Sequence, residues 1–147
     1  MNNLNKDNKS FSSAISQWYL TSGRNNLPWR EKISPYRVWI SEIMLQQTTV
    51  ATVIPFYKRF LKKWPSLKLF MNATLEEILY EWQGLGYYQR AKNLFKAKEF
   101  LKTNKLIVNS KNLLNIPGIG EYTSSSISAI LKDESCAVID GNIERIL

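Results

Sequence analysis

The sequence predicts an all-α protein, and three observations carry that reading. Apolar residues recur with helical spacing from Ser10 onward, alternating strand patterns are nearly absent, and helix start and stop signals follow one another closely. A chain of 147 residues fits one domain and is long enough to bury a core without disulfide or metal staples.

The elements follow in order. Residues 1–9, rich in Asn and Lys, are expected to form a disordered tail. From Ser10, the residues Phe11, Ile15, Trp18 and Tyr19 share one helical face, and Gly23 ends the segment. Arg24–Ile33 reads as a loop around Leu27-Pro28-Trp29-Arg30. Ser34 as N-cap and Pro35 at the first helical position open a second helix. It is apolar almost all round, which predicts burial. A third helix is expected from about Thr49 to Lys63, kinked at Pro55. Thr74 and Glu77 form a capping box that opens the next helix, and Gly84-Leu85-Gly86 breaks it.

A basic amphipathic helix then runs to about Lys102. Asn112–Asn115 reads as a short helix before Pro117, Gly118-Ile119-Gly120 as a tight turn, and Tyr122–Lys132 as a further helix. Ala137–Ile139 is apolar but too short to be read as a sheet. Residues 10–147 form one domain without repeat or linker. Because the chain stops at Leu147 inside a freshly started helix, that domain is expected to be incomplete at its C-terminus.

Composition narrows the chemistry. There is one cysteine, Cys136, and no histidine. Serine–histidine and cysteine–histidine catalysis, imidazole zinc sites and a disulfide framework are thereby excluded within this chain. Acid–base work must fall to carboxylates, lysine, tyrosine or water. Twenty basic and 12 acidic residues leave a net charge of +8, which suits a polyanionic partner but also a protein covered in lysine-bearing helices. The basic runs Lys58-Arg59, Lys62-Lys63 and Lys92, Lys96, Lys98, Lys102 and Lys105 are expected to be solvated faces first. No apolar run reaches membrane-spanning length and no signal peptide is recognisable, so a cytoplasmic protein without membrane contact is expected.

Five features point to chemistry. Gly118 and Gly120, separated by an apolar residue between helices, permit a turn that presents backbone N–H groups to a phosphate; an ordinary helix–helix turn is the alternative. Glu42 sits on an otherwise apolar helix, where desolvation raises a carboxyl pKa and suits a general acid; a solvated Glu at a gap in the core is the alternative. Asp140, before Gly141-Asn142, is placed to cap a helix and stay ionised, whether or not it has a further role. Gln46-Gln47-Thr48 and Gly86-Tyr87-Tyr88-Gln89-Arg90 offer side chains able to wedge between bases, or simply packed tyrosines and surface amides.

Taken together, four stretches resemble the adenine DNA glycosylases of the MutY kind, within the helix-hairpin-helix base-excision superfamily. They are Pro35–Thr48, Trp82–Arg90, Ile116–Thr123 and Ile139–Arg145. The resemblance implies a six-helix barrel module with a helix-hairpin-helix motif, and a second, iron–sulfur module only partly present. It implies an enzyme that flips out and excises adenine mispaired with 8-oxoguanine or guanine in double-stranded DNA, acting as a monomer.

Glu42 matches the catalytic acid, and Asp140 the aspartate that stabilises the oxocarbenium-like sugar, a division of labour between two carboxylates that glycosidic cleavage needs. Tyr122 stands where bifunctional relatives carry a Schiff-base lysine, which implies base removal without strand nicking. Leu27, Trp29 and Arg30 match the adenine-pocket loop and Asn142 an asparagine beside the aspartate. Gln47 and Tyr87 match the residues that enter the opened base stack, and Gly118 and Gly120 the phosphate-gripping hairpin.

The family's [4Fe–4S] cluster is expected, but its cysteine ligands are absent from this chain, and Cys136 is not one of them. The face Phe11/Ile15/Trp18/Tyr19 is expected to lack packing partners. Two alternatives stand beside this reading: an endonuclease III-like glycosylase/lyase, and a helix-hairpin-helix DNA-binding fragment that has lost its chemistry.

Overall fold

The computed structural model describes residues 3–136, 138 and 141–145. Among these residues the secondary structure is helical throughout, without strands. The helices are α1 (Asn3–Ser22), α2 (Pro28–Glu31), α3 (Pro35–Leu45), α4 (Val50–Lys63), α5 (Leu67–Phe70), α6 (Leu75–Trp82), α7 (Gln89–Thr103), α8 (Ser110–Leu113) and α9 (Glu121–Lys132).

Local chemistry sets most of these boundaries. The Ser34 hydroxyl accepts from the Arg37 amide and Pro35 follows it, so α3 starts where expected. Thr49 caps α4 through the Thr52 amide. The capping box at α6 is complete: the Glu77 amide donates to the Thr74 hydroxyl at 3.2 Å, and the Thr74 amide to the Glu77 carboxylate at 2.9 Å. Helix α4 runs through Pro55 to Lys63; Pro55 lies on its exposed side, where water can serve the carbonyl that the ring leaves unbonded.

Three details differ from the sequence reading. Helix α1 begins at Asn3, upstream of the expected start at Ser10. The four-residue helices α2 and α5 interrupt stretches without a readable period. Lys98, assigned to a solvated basic face, is instead 2% exposed. Its ammonium donates to the Ala73 carbonyl at 2.6 Å, pairs with Glu99 at 2.7 Å and lies over the Phe95 ring. Nearby acceptors make that burial tolerable.

Helix α3 is the hub. It packs against α2, α4, α7 and α9, and α6 closes against α4 and α7. The N-terminal half of α3 enters an aromatic core of Tyr36, Trp39, Phe60, Trp64, Phe70 and Trp82, with neighbouring ring centroids 4.7–6.5 Å apart. The Tyr36 hydroxyl finds the Trp64 carbonyl at 2.9 Å, so the ring is buried without an orphaned donor. This rigid half anchors α3; its other end carries the polar residues. Helix α1 takes part in none of the larger helix–helix contacts, and Phe11, Ile15, Trp18 and Tyr19 are exposed, as expected from the sequence.

Candidate active site

Glu42 lies in the last turn and a half of α3, partly buried. Burial pushes its carboxyl above the usual range, and a hydrogen bond from the Ser126 hydroxyl on α9 only partly offsets that. Protonation is therefore easier than for an exposed glutamate, which suits a proton donor. On one side Glu42 faces a pocket of about 650 Å³, also lined by Leu27, Trp29, Arg30, Ser41, Val50 and Ile130. This volume and its largely apolar lining suit a small aromatic guest. The three residues expected to line a base pocket thus share one cavity with the expected acid. Arg30 is held there by the Tyr19 hydroxyl at 2.5 Å and the Arg24 carbonyl at 2.8 Å.

On its other side Glu42 opens into a cleft of about 1080 Å³. Gln47, Tyr87, Tyr122 and Asn142 line it, together with Thr123 and Ser126. Gln47 and Tyr87 are exposed, and both hold left-handed backbone, with φ of 55° and 48°. Non-glycine residues rarely adopt that conformation, and it clusters at functional sites. Tyr122, also exposed, sits in the first turn of α9. The Gln46 amide donates to the Thr123 hydroxyl at 3.0 Å and ties the end of α3 to the start of α9.

Gly118 and Gly120 lie in the turn between α8 and α9, outside both cavities but just before Tyr122. Gly118 has φ +83°, and a Cβ there would stand 2.7 Å from Asn93 Cβ, so both backbone and space demand glycine. Gly120 is the N-cap of α9 and provides no side-chain cap of its own. Asp140 lies outside the described residues, so the pairing of two carboxylates is not part of the observed geometry.

Comparison with known proteins places this arrangement in a family. Residues 40–147 match the HhH-GPD superfamily of base excision DNA repair proteins. The chain belongs to that superfamily. It is 42% identical over 140 residues to the adenine DNA glycosylase of Buchnera aphidicola subsp. Schizaphis graminum, and 37% identical over 153 residues to that of Rattus norvegicus. These alignments cover 93% and 96% of this chain but only 40% and 30% of those proteins. Among solved structures, a thermostable thymine-DNA glycosylase superposes with a TM-score of 0.87 at 28% identity, over 97% of this chain and 67% of that one. An endonuclease III–DNA complex superposes at 0.74, over 94% of this chain and 66% of that one; at 19% identity it speaks for the fold.

Within the superfamily's frame, the helix-hairpin-helix is α8, the 114–120 turn and α9. The family's iron–sulfur cluster does not fit the residues present. Four thiolates are needed and the chain has one cysteine, and among the described residues no group of three or more Cys, Asp or Glu is placed to hold a metal.

Two functional positions escaped the sequence reading. Ser126 was not singled out, because a lone serine in α9 gives no hint that it faces Glu42 across the fold. Arg90 closes the Gly86–Arg90 motif, where its spacing alone gives it no role of its own. The residue is 7% exposed, and its guanidinium donates to the carbonyls of Ile43 (3.3 Å), Met44 (2.7 Å), Gln46 (2.5 Å) and Gly86 (3.2 Å). A cation over the last carbonyls of α3 also opposes the negative end of that helix.

Proposed function

We propose that this chain carries the catalytic region of an adenine DNA glycosylase, removing adenine mispaired with 8-oxoguanine or guanine from double-stranded DNA. One observation carries the reading: Glu42, a carboxyl whose burial raises its pKa, stands where a largely apolar pocket meets a wider cleft. A flipped base enters the pocket while its sugar and the duplex stay in the cleft. The similarity to proteins named adenine DNA glycosylase supports the choice of base.

The chemistry is a hydrolysis. The bond between sugar C1′ and adenine breaks, its electron pair leaves with the base, and Glu42 supplies the proton that neutralises the leaving group. Asp140, as an ionised carboxylate, stabilises the cationic sugar. Water then adds at C1′ and returns a proton to Glu42. Leu27, Trp29 and Arg30 hold the base, Asn142 takes the part of the family asparagine that assists the aspartate, and Gln47 and Tyr87 enter the space that the flipped nucleotide leaves. The Gly118–Gly120 turn grips a phosphate through backbone amides. Tyr122 favours base removal without strand cleavage, since a phenol forms no Schiff base.

The test is single-turnover adenine release from a duplex with adenine opposite 8-oxoguanine, using this chain and its Glu42→Gln variant. Glu42→Gln is expected to lose on the order of 10²–10⁴ in rate with unchanged DNA affinity. Excision at the unaltered rate refutes Glu42 as the acid. Salt-sensitive DNA binding without any release leaves a DNA-binding module in place of an enzyme. Trapping on abasic DNA by borohydride is expected to fail, and success would favour a lyase.

A further inference from the structure

We infer that Arg90 is a positioning residue that sets the backbone of Gln47 and Tyr87 together, so that the two enter DNA as one preformed wedge. The inference rests on the proposed role of those two residues. They are far apart in sequence yet line one cleft, and both hold left-handed backbone. The peptide plane preceding a residue is one of the two groups that define its φ. Arg90 bonds the carbonyl of that plane in both cases: Gln46 O at 2.5 Å before Gln47, and Gly86 O at 3.2 Å before Tyr87.

The remaining bonds, to Met44 at 2.7 Å and Ile43 at 3.3 Å, fix the guanidinium to the end of α3. The Trp82 indole donates to the same Gly86 carbonyl at 3.1 Å, and the guanidinium lies over the Trp82 and Tyr87 rings at 5.6 and 5.3 Å. The Arg90 amide itself bonds the Tyr87 carbonyl at 2.9 Å. A planar fork reaches carbonyls on two separate turns at once; a lysine ammonium is a point donor on a flexible stem and does not reproduce that span.

Hydrogen exchange on the free chain and 2-aminopurine fluorescence, with the fluorophore replacing adenine opposite 8-oxoguanine, together test this. The variants are Arg90→Lys and Arg90→Met. Lys98→Met serves as control, removing the other buried cation of α7, whose acceptor Ala73 lies outside the cleft.

In both Arg90 variants, the bonded amides of the two segments, Thr48 (to the Leu45 carbonyl) in the first and residue 90 (to the Tyr87 carbonyl) in the second, are expected to exchange at least about tenfold faster, because their acceptor turns lose a hydrogen bond to a charged group. The fluorescence gain on binding is expected to fall by a similar factor, while affinity for fully paired DNA holds within about twofold. Lys98→Met is expected to leave both segments and the fluorescence unchanged.

Faster exchange in one segment alone overturns the inference. So does a chain-wide loss of protection matched by Lys98→Met, which marks a plain structural role. Normal fluorescence in variants with both segments loosened overturns it too, provided Gln47→Ala and Tyr87→Ala each abolish the gain. If those two alanine variants open DNA normally while exchange rises in both segments, the clamp stands and the wedge reading of the proposed function falls.

Discussion

Helices α1 and α3 are both written with an apolar stripe, yet they end in opposite environments. In α3 the stripe is enclosed on all sides, and Ile40 and Met44 have no exposed surface. In α1, Phe11 is 63% and Trp18 61% exposed. The pattern of apolar residues says which face of a helix seeks cover; it does not say whether cover is present. For α3 the cover comes from α2, α4, α7 and α9, whose own sequences supply it. The same contrast separates the two ends of α3. Its first turns sit in an aromatic core, and its last turns give up apolar cover for Glu42 and the carbonyls that Arg90 holds.

The largest effect is expected where cover is complete. Ile40→Ala should cost about 2–5 kcal/mol, the range for deleting a fully buried aliphatic side chain. Urea unfolding of the chain measures it, and a loss below about 1 kcal/mol would mean that the α3 core is loosely packed. Next comes the hairpin. Gly118→Ala must force a left-handed residue against Asn93 and is expected to cost about 1–3 kcal/mol. Gly120 has extended backbone at an N-cap position that supplies no side-chain bond, with open space around it, so Gly120→Ser is expected to be neutral or to stabilise by up to about 1 kcal/mol. Equal effects at the two glycines would refute the assignment of the strain to Gly118.

How far these features were legible depends on how local their causes are. Ser34-Pro35, Thr49 and the Thr74–Glu77 box act within one turn, so the sequence placed three helix starts correctly. The Gly118 turn was readable for the same reason. Helices α2 and α5 were not, because four residues are too short to show a period. Lys98 and Arg90 were misread or passed over because their acceptors, Ala73, Met44, Gln46 and Gly86, are brought near by packing. A cation's burial is decided by where carbonyls end up, which no spacing rule records. At the site, the raised pKa of Glu42 was foreseen from its apolar neighbours, whereas its partner Ser126 was not.

Glu42 sharpens the contrast at the other end of α3. Its pKa is raised in the folded chain, so between the ordinary and raised values the folded state binds more protons than the unfolded one. Stability is then greatest below the ordinary carboxylate value and declines as pH rises through the raised one. Glutamine mimics the protonated form and lacks this loss. Glu42→Gln is therefore expected to melt above the unaltered chain at neutral pH, with the difference vanishing at acid pH. A difference independent of pH would show that charge burial is not its source. The polar end of α3 thus holds a group that is costly to stability at neutral pH and valuable as an acid, a trade that recurs at active sites.

The smallest effect is expected on α1. Phe11→Ala and Ile15→Ala remove side chains that are already in water, and each should shift unfolding by no more than about 0.5 kcal/mol. The comparison with Ile40→Ala is direct, since both are apolar residues on helical faces and differ only in what lies opposite. Urea unfolding at two protein concentrations tests it. A shift above about 1 kcal/mol at both concentrations would mean that this face packs within the chain. A shift that grows with concentration would mean that a second copy covers it, and the contrast between α1 and α3 would then be one between an interface and a core.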